Sequence, residues 1–533
     1  MNWWRHPPLE PPPRLATVVL LTNVIAASVL VFIGFIASAM LMPVIEGDFG
    51  IDPSMGFWIG KAFLLMWALV IPLTVRCARW YGHKLLFVLG MAIATLGAGV
   101  TINVETLAWL IFGRILSGIG SGMVFALAID IVVQNCPAGA RSLSLLLLSN
   151  LSFGLGIGGG LLLGGWLEQI ANWKAVFYLD LVAYPLMIVV TTLLQPETKR
   201  YTDPPFDWIG YLCSIVWVTA WLVLVTEAKA SWNTLGWFSP MSIALFGTGL
   251  AAFAVMLIHG HSHENPILMP ALFRHPAYAL GTLGMLVVGV MVFGVILVSM
   301  EMLHNVFQYE PLRVGMVMSV IGFTYFVAGF IPGLLSRWIK MEWYILPGLG
   351  LVALSCWMSQ VITIQSPPEQ LIRIFAVRAA GLGLVIGPLT VLALSHVPER
   401  LAYKGSIVIL YLRLIAAAFA SSIVMTIKNT RAPFHVLRFG EMVDMQSTRY
   451  RQYIAELSES LIQRGLTPLE AAEEARLQVM RSIINQAQLA GLIDAIYILG
   501  WAVVAVMVAI GGLMIWKRLR RKRDEEAVLV PTR

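Results

Sequence analysis

The stretch LIFGRILSGIGSG, residues 110–122, places one arginine inside an otherwise apolar run. An arginine at the centre of a membrane helix costs roughly 2.5–3.5 kcal/mol on insertion scales, so such residues usually face a protein interior or an aqueous cavity. Arg114 is therefore the first candidate functional residue. The alternative is an interfacial arginine whose side chain reaches the lipid headgroups. The small residues Gly118 and Gly120 would let a neighbouring helix approach closely.

The composition indicates a helical membrane protein. Of the 533 residues, 58% are hydrophobic and 12% are charged, whereas soluble domains are about 45–50% apolar and 25% charged. The four cysteines show no metal-ligand spacing, and no glycine-rich run is followed by the Lys and Ser or Thr of a phosphate-binding loop. We therefore expect no metal, no cofactor and no ATP-driven pump. The net charge of +7 suits membrane topology better than a nucleic-acid partner.

A membrane-spanning helix needs about 20 mostly apolar residues, and the sequence contains fourteen such runs. They lie near residues 15–42, 55–76, 84–102, 107–133, 142–167, 175–194, 208–227, 238–259, 277–300, 312–335, 343–363, 371–396, 405–427 and 489–516. Basic residues concentrate on alternate loops, so the positive-inside rule predicts that both termini are cytoplasmic. The lipid bilayer is thus the first expected partner.

Polar residues recur at matching places in the first six and the last six predicted spans, which is typical of transporters built from repeated halves. The matching positions are Arg114 and Arg378, Asn150 and Arg413, and the loop residues Arg79 and Arg337. The alternative is chance recurrence of basic residues at helix ends. We expect a tail (1–14), an N-terminal six-helix half (15–194), two inserted helices (208–259), a C-terminal half (277–516), an extracytoplasmic hairpin within it (428–488) and a basic tail (517–533).

In this order, the motifs resemble those of the fourteen-helix drug/proton antiporter branch of the major facilitator superfamily. LIFGRILSGIG resembles the fourth-helix arginine motif, and GLGIGGGLLLGGW, residues 154–166, resembles the fifth-helix glycine motif. The motif glycines of these two helices are Gly118, Gly120, Gly156, Gly160, Gly164 and Gly165. The segment NWKAVFYLDL that follows resembles the family's Trp-Arg-x-x-Phe-Tyr-x-Asn pattern.

The resemblance implies an all-α major-facilitator fold and a secondary transporter that is not an enzyme. It further implies export of small organic or amphiphilic compounds by alternating access across a bacterial inner membrane. The cavity residues that it implies are Arg114, Asn150, Arg378 and Arg413. A polytopic membrane enzyme is the alternative class, and it would need clustered His, Asp or Glu groups that the sequence does not offer.

Departures from the family pattern affect proton coupling and the cytoplasmic loop motif. The family's first-helix acid is Gly34 here, and the loop motif has Arg79 in place of its aspartate. The other loop-motif residues are Gly82, Lys84 and, in the second half, Arg337. The remaining candidate coupling acids are Asp130, Glu301 and Asp494. These losses leave a transport-dead membrane scaffold or sensor as an alternative.

The charge pattern also bears on the substrate. By their distance from the predicted span ends, Arg114, Arg378 and Arg413 occupy the middle of the bundle without a central acidic partner. Guanidinium groups bind carboxylates and phosphates in bidentate geometry, which favours an anionic, siderophore-like small molecule. Apolar walls, including Trp67, would hold its apolar portion. The alternatives are arginines paired with backbone carbonyls, and multidrug efflux of lipophilic cations by proton antiport.

Two segments outside the spans have patterns of their own. Residues 428–488 predict a helical hairpin: an apolar face formed by Tyr453, Ile454, Leu457, Leu461 and Ile462, then Gly465 past a helix end, then a capping box from Thr467 to Glu470 that begins a helix through Met480. It either covers the bundle or docks a periplasmic adaptor protein, which the resemblance suggests. HGHSHE, residues 259–264, predicts solvated histidines rather than a metal site, because alternating loop histidines lack a defined cage.

Overall fold

The computed structural model describes residues 14–136, 138–195, 206–228, 233–395, 397–443 and 446–529, and these ranges contain helices and no strands. Within them, fourteen helices are long and apolar enough to cross a membrane, which confirms the predicted spans. Because the number of crossings is even, the beginning of the first span and the end of the last span lie at the same end of the bundle. We call this the termini end and the opposite end the hairpin end.

Seventeen α-helices follow one another along the described chain. The first group is α1 (Arg14–Met40), α2 (Met42–Phe49), α3 (Pro53–Tyr81), α4 (His83–Ile102), α5 (Leu107–Asn135), α6 (Ala138–Asn150), α7 (Gly156–Ile170) and α8 (Ala175–Leu194). Two further helices, α9 (Trp208–Glu227) and α10 (Pro240–Ser262), precede the last group. That group is α11 (Pro276–Glu301), α12 (Pro311–Leu334), α13 (Ile345–Met358), α14 (Pro368–Leu394), α15 (Glu399–Met442), α16 (Thr448–Gln463) and α17 (Pro468–Leu529).

The first and last groups each pack as a bundle, and α9 and α10 lie beside them. Helices α1, α3, α4, α5, α7 and α8 contact one another, as do α11 to α15 and α17. The two groups meet where α7 packs along α12 and where α3 packs along α15. Helix α10 contacts α9, and α9 in turn contacts α15. The architecture is thus two six-span groups with two added spans.

Glycines allow these helices to approach at backbone distance. A Cβ atom on Gly322 would lie 2.2 Å from the Gly158 nitrogen, at the crossing of α7 and α12. On α5, a Cβ on Gly118 would lie 2.4 Å from the Phe63 carbonyl oxygen, and one on Gly120 would lie 2.4 Å from the Ala94 nitrogen. Side chains larger than hydrogen are excluded there unless the backbones separate.

The glycines of α7 serve two neighbours. Gly156, Gly160 and Gly164 face α1, where added Cβ atoms would lie 2.4 Å from the Phe32 Cβ, 3.0 Å from the Ile33 oxygen and 3.0 Å from the Ala37 Cα. Gly165 instead faces α12, 2.6 Å from the Pro311 oxygen by the same construction. One short segment therefore holds α1 inside its own group and α12 in the other group.

The hairpin differs from its prediction in where its helices end. Helix α15 continues past the predicted end of its span as far as Met442, and α17 is a single helix of 62 residues that does not stop at Met480. The segment RSIINQAQ after Met480 contains neither glycine nor proline, so nothing in the backbone interrupts the helix there. The hairpin is therefore an extension of two spans joined through α16.

The turn of the hairpin has the predicted geometry. Gly465 follows α16 with φ of +102°, and the Thr467 hydroxyl donates a 2.7 Å hydrogen bond to Glu470 Oε2 while the Thr467 amide donates to the same oxygen at 3.0 Å. The apolar face is narrower than expected. Leu461 packs against Ala471 and Ala475, whereas Tyr453 and Ile462 remain exposed.

Gly120→Ala tests the close packing of α5 on α4. The added methyl would press on backbone atoms that cannot rotate away, so we expect a loss of about 1–3 kcal/mol of stability, the usual cost of overpacking. The melting temperature of the purified protein in detergent should fall by several degrees. Gly350→Ala on α13 is the control, because its Cβ would meet no atom within 4 Å. Equal melting temperatures for the two variants would contradict this packing.

Candidate transport site

Arg114 is buried within the first six-span group, with 2% of its surface exposed. Its guanidinium lies 4.5 Å from the centroid of the Phe63 ring and 5.6 Å from that of Phe177. No hydrogen-bond partner of its Nε lies among the residues that the structure describes. Aromatic faces stabilise a desolvated cation by about 2 kcal/mol. Arg114 is thus an interior residue that does not extend to the lipid headgroups.

An aromatic cluster connects Arg114 to the interface between the two groups. We define the central aromatic cluster as Phe32, Phe35, Phe63, Trp67, Phe125 and Phe153. Ring centroids are 5.6 Å apart for Phe63 and Trp67, and 4.5 Å apart for Phe32 and Phe153. From the second group, Phe293 approaches Phe35 at 6.0 Å, and Tyr325 approaches Phe153 at 5.9 Å. The cluster therefore occupies the centre of the molecule.

Arg413 approaches the same cluster from α15. Its guanidinium lies 4.9 Å from the centroid of the Phe153 ring. Phe153 belongs to a five-residue π-helical turn, Leu151–Leu155, between α6 and α7. Such turns shift the side chains that follow and are frequent at functional sites. In the described ranges, neither Arg413 Nε nor Trp67 Nε1 has a hydrogen-bond partner.

Asn150 and Arg378 lie elsewhere. Asn150 is buried against α12, where a Cβ on Gly329 would lie 2.2 Å from its Oδ1 atom. Arg378, on α14, donates from Nε to Ser355 Oγ at 3.3 Å and from Nη2 to Ser359 Oγ at 2.8 Å. Of the four predicted cavity residues, only Arg114 and Arg413 contact the central aromatic cluster. Arg378 instead joins α14 to the segment that contains α13.

The candidate coupling acids each lie beside a basic residue. Asp130 lies 3.4 Å from His83 Nε2, and Glu301 lies 2.6 Å from Lys428 Nζ. Asp494 lies 2.6 Å from Arg431 Nε and 2.8 Å from His435 Nε2. None of these three acids contacts the central aromatic cluster among the described contacts. They remain candidates for coupling at the ends of the bundle.

The expectation that the central arginines lack an acidic partner is wrong for Arg114. Asp180 on α8 is 8% exposed, and its charge interacts with that of Arg114. Asp180 lies near the beginning of α8, so its position along the span alone would place it away from the centre. However, α5 and α8 begin at the same end of the bundle, and both residues lie near the beginning of their helices. They therefore lie at a similar depth.

The loop-motif residues lie at the termini end. Gly82, with φ of +97°, joins α3 to α4, and Arg79 lies in the last turn of α3. Lys84 is partly buried in the first turn of α4, whereas Arg337 is exposed in the turn after α12. A cleft with about 680 Å³ of empty space opens beside Arg79 and is lined also by Arg76 and Lys404. This end of the molecule is therefore basic where the two groups meet.

The histidine segment is more structured than its sequence suggests. His259 Nε2 lies 3.1 Å from Asp207 Oδ1, and Asp207 also accepts the Gly210 amide at the start of α9. Ligand atoms of Asp207, His259 and His263 all lie within 4.8 Å of one another. His263 Nδ1 accepts the Asn265 amide, which leaves the proton of a neutral ring on Nε2. The contact between His259 and Asp207 therefore joins the end of α10 to the beginning of α9.

A second cleft, at the hairpin end, joins Glu301 with two charged residues that the sequence did not single out, Glu46 and Lys61. It lies between the two groups and is lined by Glu46, Lys61 and Glu301. Lys61 is 4% exposed and donates to Thr226 Oγ1 at 3.2 Å. Burial raises the pKa of Glu46 to about 7, and the charges of Glu301 and Asp52 add to the shift. The sequence signal for Lys61 was the same as for Arg114, a cation within an apolar run.

The model of the Major Facilitator Superfamily matches residues 24–421. The chain belongs to the major facilitator superfamily. It is therefore a multi-pass membrane transporter, and its family is not a family of enzymes.

Relatives confirm the resemblance to the fourteen-helix drug-export branch of this superfamily. The chain is 25% identical over 516 residues to the multidrug export protein EmrB of Escherichia coli K12, covering 94% of this chain and 95% of that protein. It is 22% identical over 435 residues to the fatty acid resistance protein FarB of Neisseria gonorrhoeae, covering 80% and 83%. A bacterial homologue of the lysosomal transporter Spinster has the same fold, with a TM-score of 0.62 at 15% identity over 93% and 97% of the two chains.

Ser355→Ala combined with Ser359→Ala tests whether Arg378 in this major facilitator stabilises helix packing and does not bind substrate. Removing both acceptors leaves a buried cation without side-chain hydrogen bonds, so we expect about 1–3 kcal/mol of lost stability for each bond. The melting temperature in detergent should fall while the affinity for a transported compound is unchanged. Ser336→Ala, an exposed serine at the end of α12, is the matched control. A loss of affinity at unchanged stability would place Arg378 in the substrate site instead.

Proposed function

We propose that this transporter exports small amphiphilic compounds with an acidic group, and that it resides in a bacterial inner membrane with both termini in the cytoplasm. The observation that carries this proposal is Arg413, a guanidinium with an unpaired Nε beside the central aromatic cluster. Arg413 would bind the acidic group, and the aromatic rings would bind the apolar portion. Alternating access of the two six-span groups would move the compound across the membrane.

Two donors in or beside the central aromatic cluster lack an acceptor within the described ranges. A buried donor without an acceptor costs about 1–3 kcal/mol, and the cost is larger for charged groups. Arg413 Nε and Trp67 Nε1 are both donors of this kind within the described ranges. A carboxylate can accept two parallel hydrogen bonds from a guanidinium. An anion is therefore the ligand chemistry that best complements these groups.

The apolar surroundings favour one acidic group over several. The central aromatic cluster offers rings and few polar atoms, so a polycarboxylate would bury charges that nothing there compensates. The name of FarB records resistance to fatty acids, which combine a carboxylate with an apolar chain. This relative supports an amphiphilic acid over a siderophore-like polycarboxylate as the substrate.

A second candidate is efflux of lipophilic cations by proton antiport. The specific observation that favours it is Asp180, a buried carboxylate whose charge interacts with that of Arg114. Aromatic faces also attract cations. The name of EmrB, multidrug export protein, fits either substrate charge.

Arg413→Met separates the two candidates. It removes the guanidinium and keeps an apolar side chain of similar length, so the affinity for decanoate should fall at least tenfold, about 1.4 kcal/mol. The affinity for ethidium should be unchanged or higher. Both are measured by equilibrium binding to purified protein in detergent.

Arg313→Met is the matched control. Arg313 also lies over a ring, 4.2 Å from the Tyr309 centroid, but it is exposed at the start of α12. It should leave decanoate affinity unchanged. Tight ethidium binding with no decanoate binding by the wild type would refute the anionic assignment. Binding of neither, with no export of either from cells, would favour a scaffold or sensor.

We also propose that the hairpin docks a periplasmic adaptor protein. Beyond the bundle, the hairpin exposes large apolar side chains, among them Leu437 at 70% and Leu469 at 80%. Exposed apolar surface of this kind is typical of protein interaction sites. An adaptor would cover these side chains.

Deleting residues 439–480 and joining the ends with a short Gly-Ser linker tests the adaptor. Decanoate binding in detergent should persist, because the central aromatic cluster lies outside the deleted segment. Export from whole cells should fall severalfold, because the exported compound would no longer enter the adaptor. Unchanged export would leave the hairpin only the role of a cover over the bundle.

A further inference from the structure

Gly34 on α1 has no side chain, and the carboxylate of Asp180 on α8 occupies the space beside it. A Cβ atom on Gly34 would lie 2.8 Å from Asp180 Oδ2 and 3.3 Å from Oδ1. Both contacts are shorter than ordinary van der Waals separations. The carboxylate of Asp180 thus lies where a side chain at position 34 would begin.

Asp180 differs from the other fully buried carboxylates of the described ranges. Asp130 pairs with His83, and Asp207 pairs with His259 while capping α9. For Asp180, the described residues provide the charge of Arg114, but Oδ1 has no hydrogen-bond partner. A buried carboxylate with one unpaired oxygen is poorly stabilised as an anion, and binding a proton removes the charge that burial disfavours.

Few other titratable groups face this carboxylate. From α5 it faces Arg114, and on its own helix its charge acts on Tyr184. Helix α1 contributes Gly34 there, and its one ionisable residue, Arg14, is at its opposite end. The ionisable residues of α4, His83 and Lys84, also lie at the other end. Protonation of Asp180 is therefore sensed mainly by Arg114.

The sequence around Asp180 shows a paired exchange. In the segment that resembles Trp-Arg-x-x-Phe-Tyr-x-Asn, Asp180 stands at the asparagine position. Position 34, where the resembling family has an acid, is glycine. Relative to the pattern that the chain resembles, α1 lacks a carboxylate and α8 has an additional one, which lies 2.8 Å from where a Cβ at position 34 would stand.

We propose that Asp180 carries the proton of the transport cycle and that its protonation changes its attraction for the Arg114 guanidinium. This inference rests on the proposed export function. Asp180 binds a proton from the solution on one side and releases it to the solution on the other side, while Arg114 stays protonated. The ionised carboxylate attracts the Arg114 guanidinium, and the protonated one releases it. The charge of the pair thus differs between the two halves of the cycle.

Asp180→Asn and the exchange variant Gly34→Asp/Asp180→Ala, in which the smaller residue at position 180 leaves room for the new carboxylate, test this inference in liposomes. Asp180→Asn should keep the one-for-one exchange of decanoate across the membrane, which requires no proton. The accumulation of decanoate that a pH gradient drives should be at least tenfold lower in this variant than in the wild type. The exchange variant returns a carboxylate to nearly the same point and should recover most of that accumulation. Glu105→Gln, an exposed acid before α5, is the control.

A second measurement does not depend on the substrate. Infrared difference spectra between acidic and alkaline samples should show a protonated-carboxyl band that Asp180→Asn removes and the exchange variant restores. If decanoate is not transported, ethidium replaces it, and the infrared result then separates a wrong substrate from a wrong acid. Full pH-driven accumulation by Asp180→Asn, or an unchanged infrared band, would overturn the assignment of Asp180.

Discussion

The first six-span group buries a guanidinium and a carboxylate, Arg114 and Asp180, whose charges interact inside a bundle of apolar helices. Removing each ion from water costs several kcal/mol, and mutual attraction offsets this only in part. The rings of Phe63 and Phe177 supply further stabilisation for the cation. Because the two charges interact, a change in the charge of one alters the environment of the other. That dependence is what a transport cycle requires.

The glycines make this arrangement sterically accessible. Gly118 and Gly120 bring α5 against α3 and α4, and Gly156 brings α7 against Phe32. Close approach of these helices gathers the aromatic side chains into one cluster, into which Arg114 and Arg413 project from opposite groups. The π-helical turn at Leu151–Leu155 positions Phe153 beside Arg413. The close packing of the helices therefore determines where the two guanidinium groups lie.

The sequence predicted the fourteen spans well, because each is a long apolar run whose length is fixed by the bilayer. It also predicted the capping box at Thr467, which depends only on residues close in the chain. Contacts between distant residues were harder. The serines that bind Arg378 carry no signal of their own, and the relation between Gly34 and Asp180 appears only when α1 and α8 are packed together.

A structure of the transporter with bound decanoate, determined by electron cryo-microscopy, tests the account most directly. We predict that the carboxylate lies within hydrogen-bond distance of the Arg413 guanidinium and that the alkyl chain contacts Phe153 and its neighbours in the central aromatic cluster. Decanoate bound only in the cleft lined by Glu46, Lys61 and Glu301, with the aromatic cluster closed and unchanged, would contradict the account.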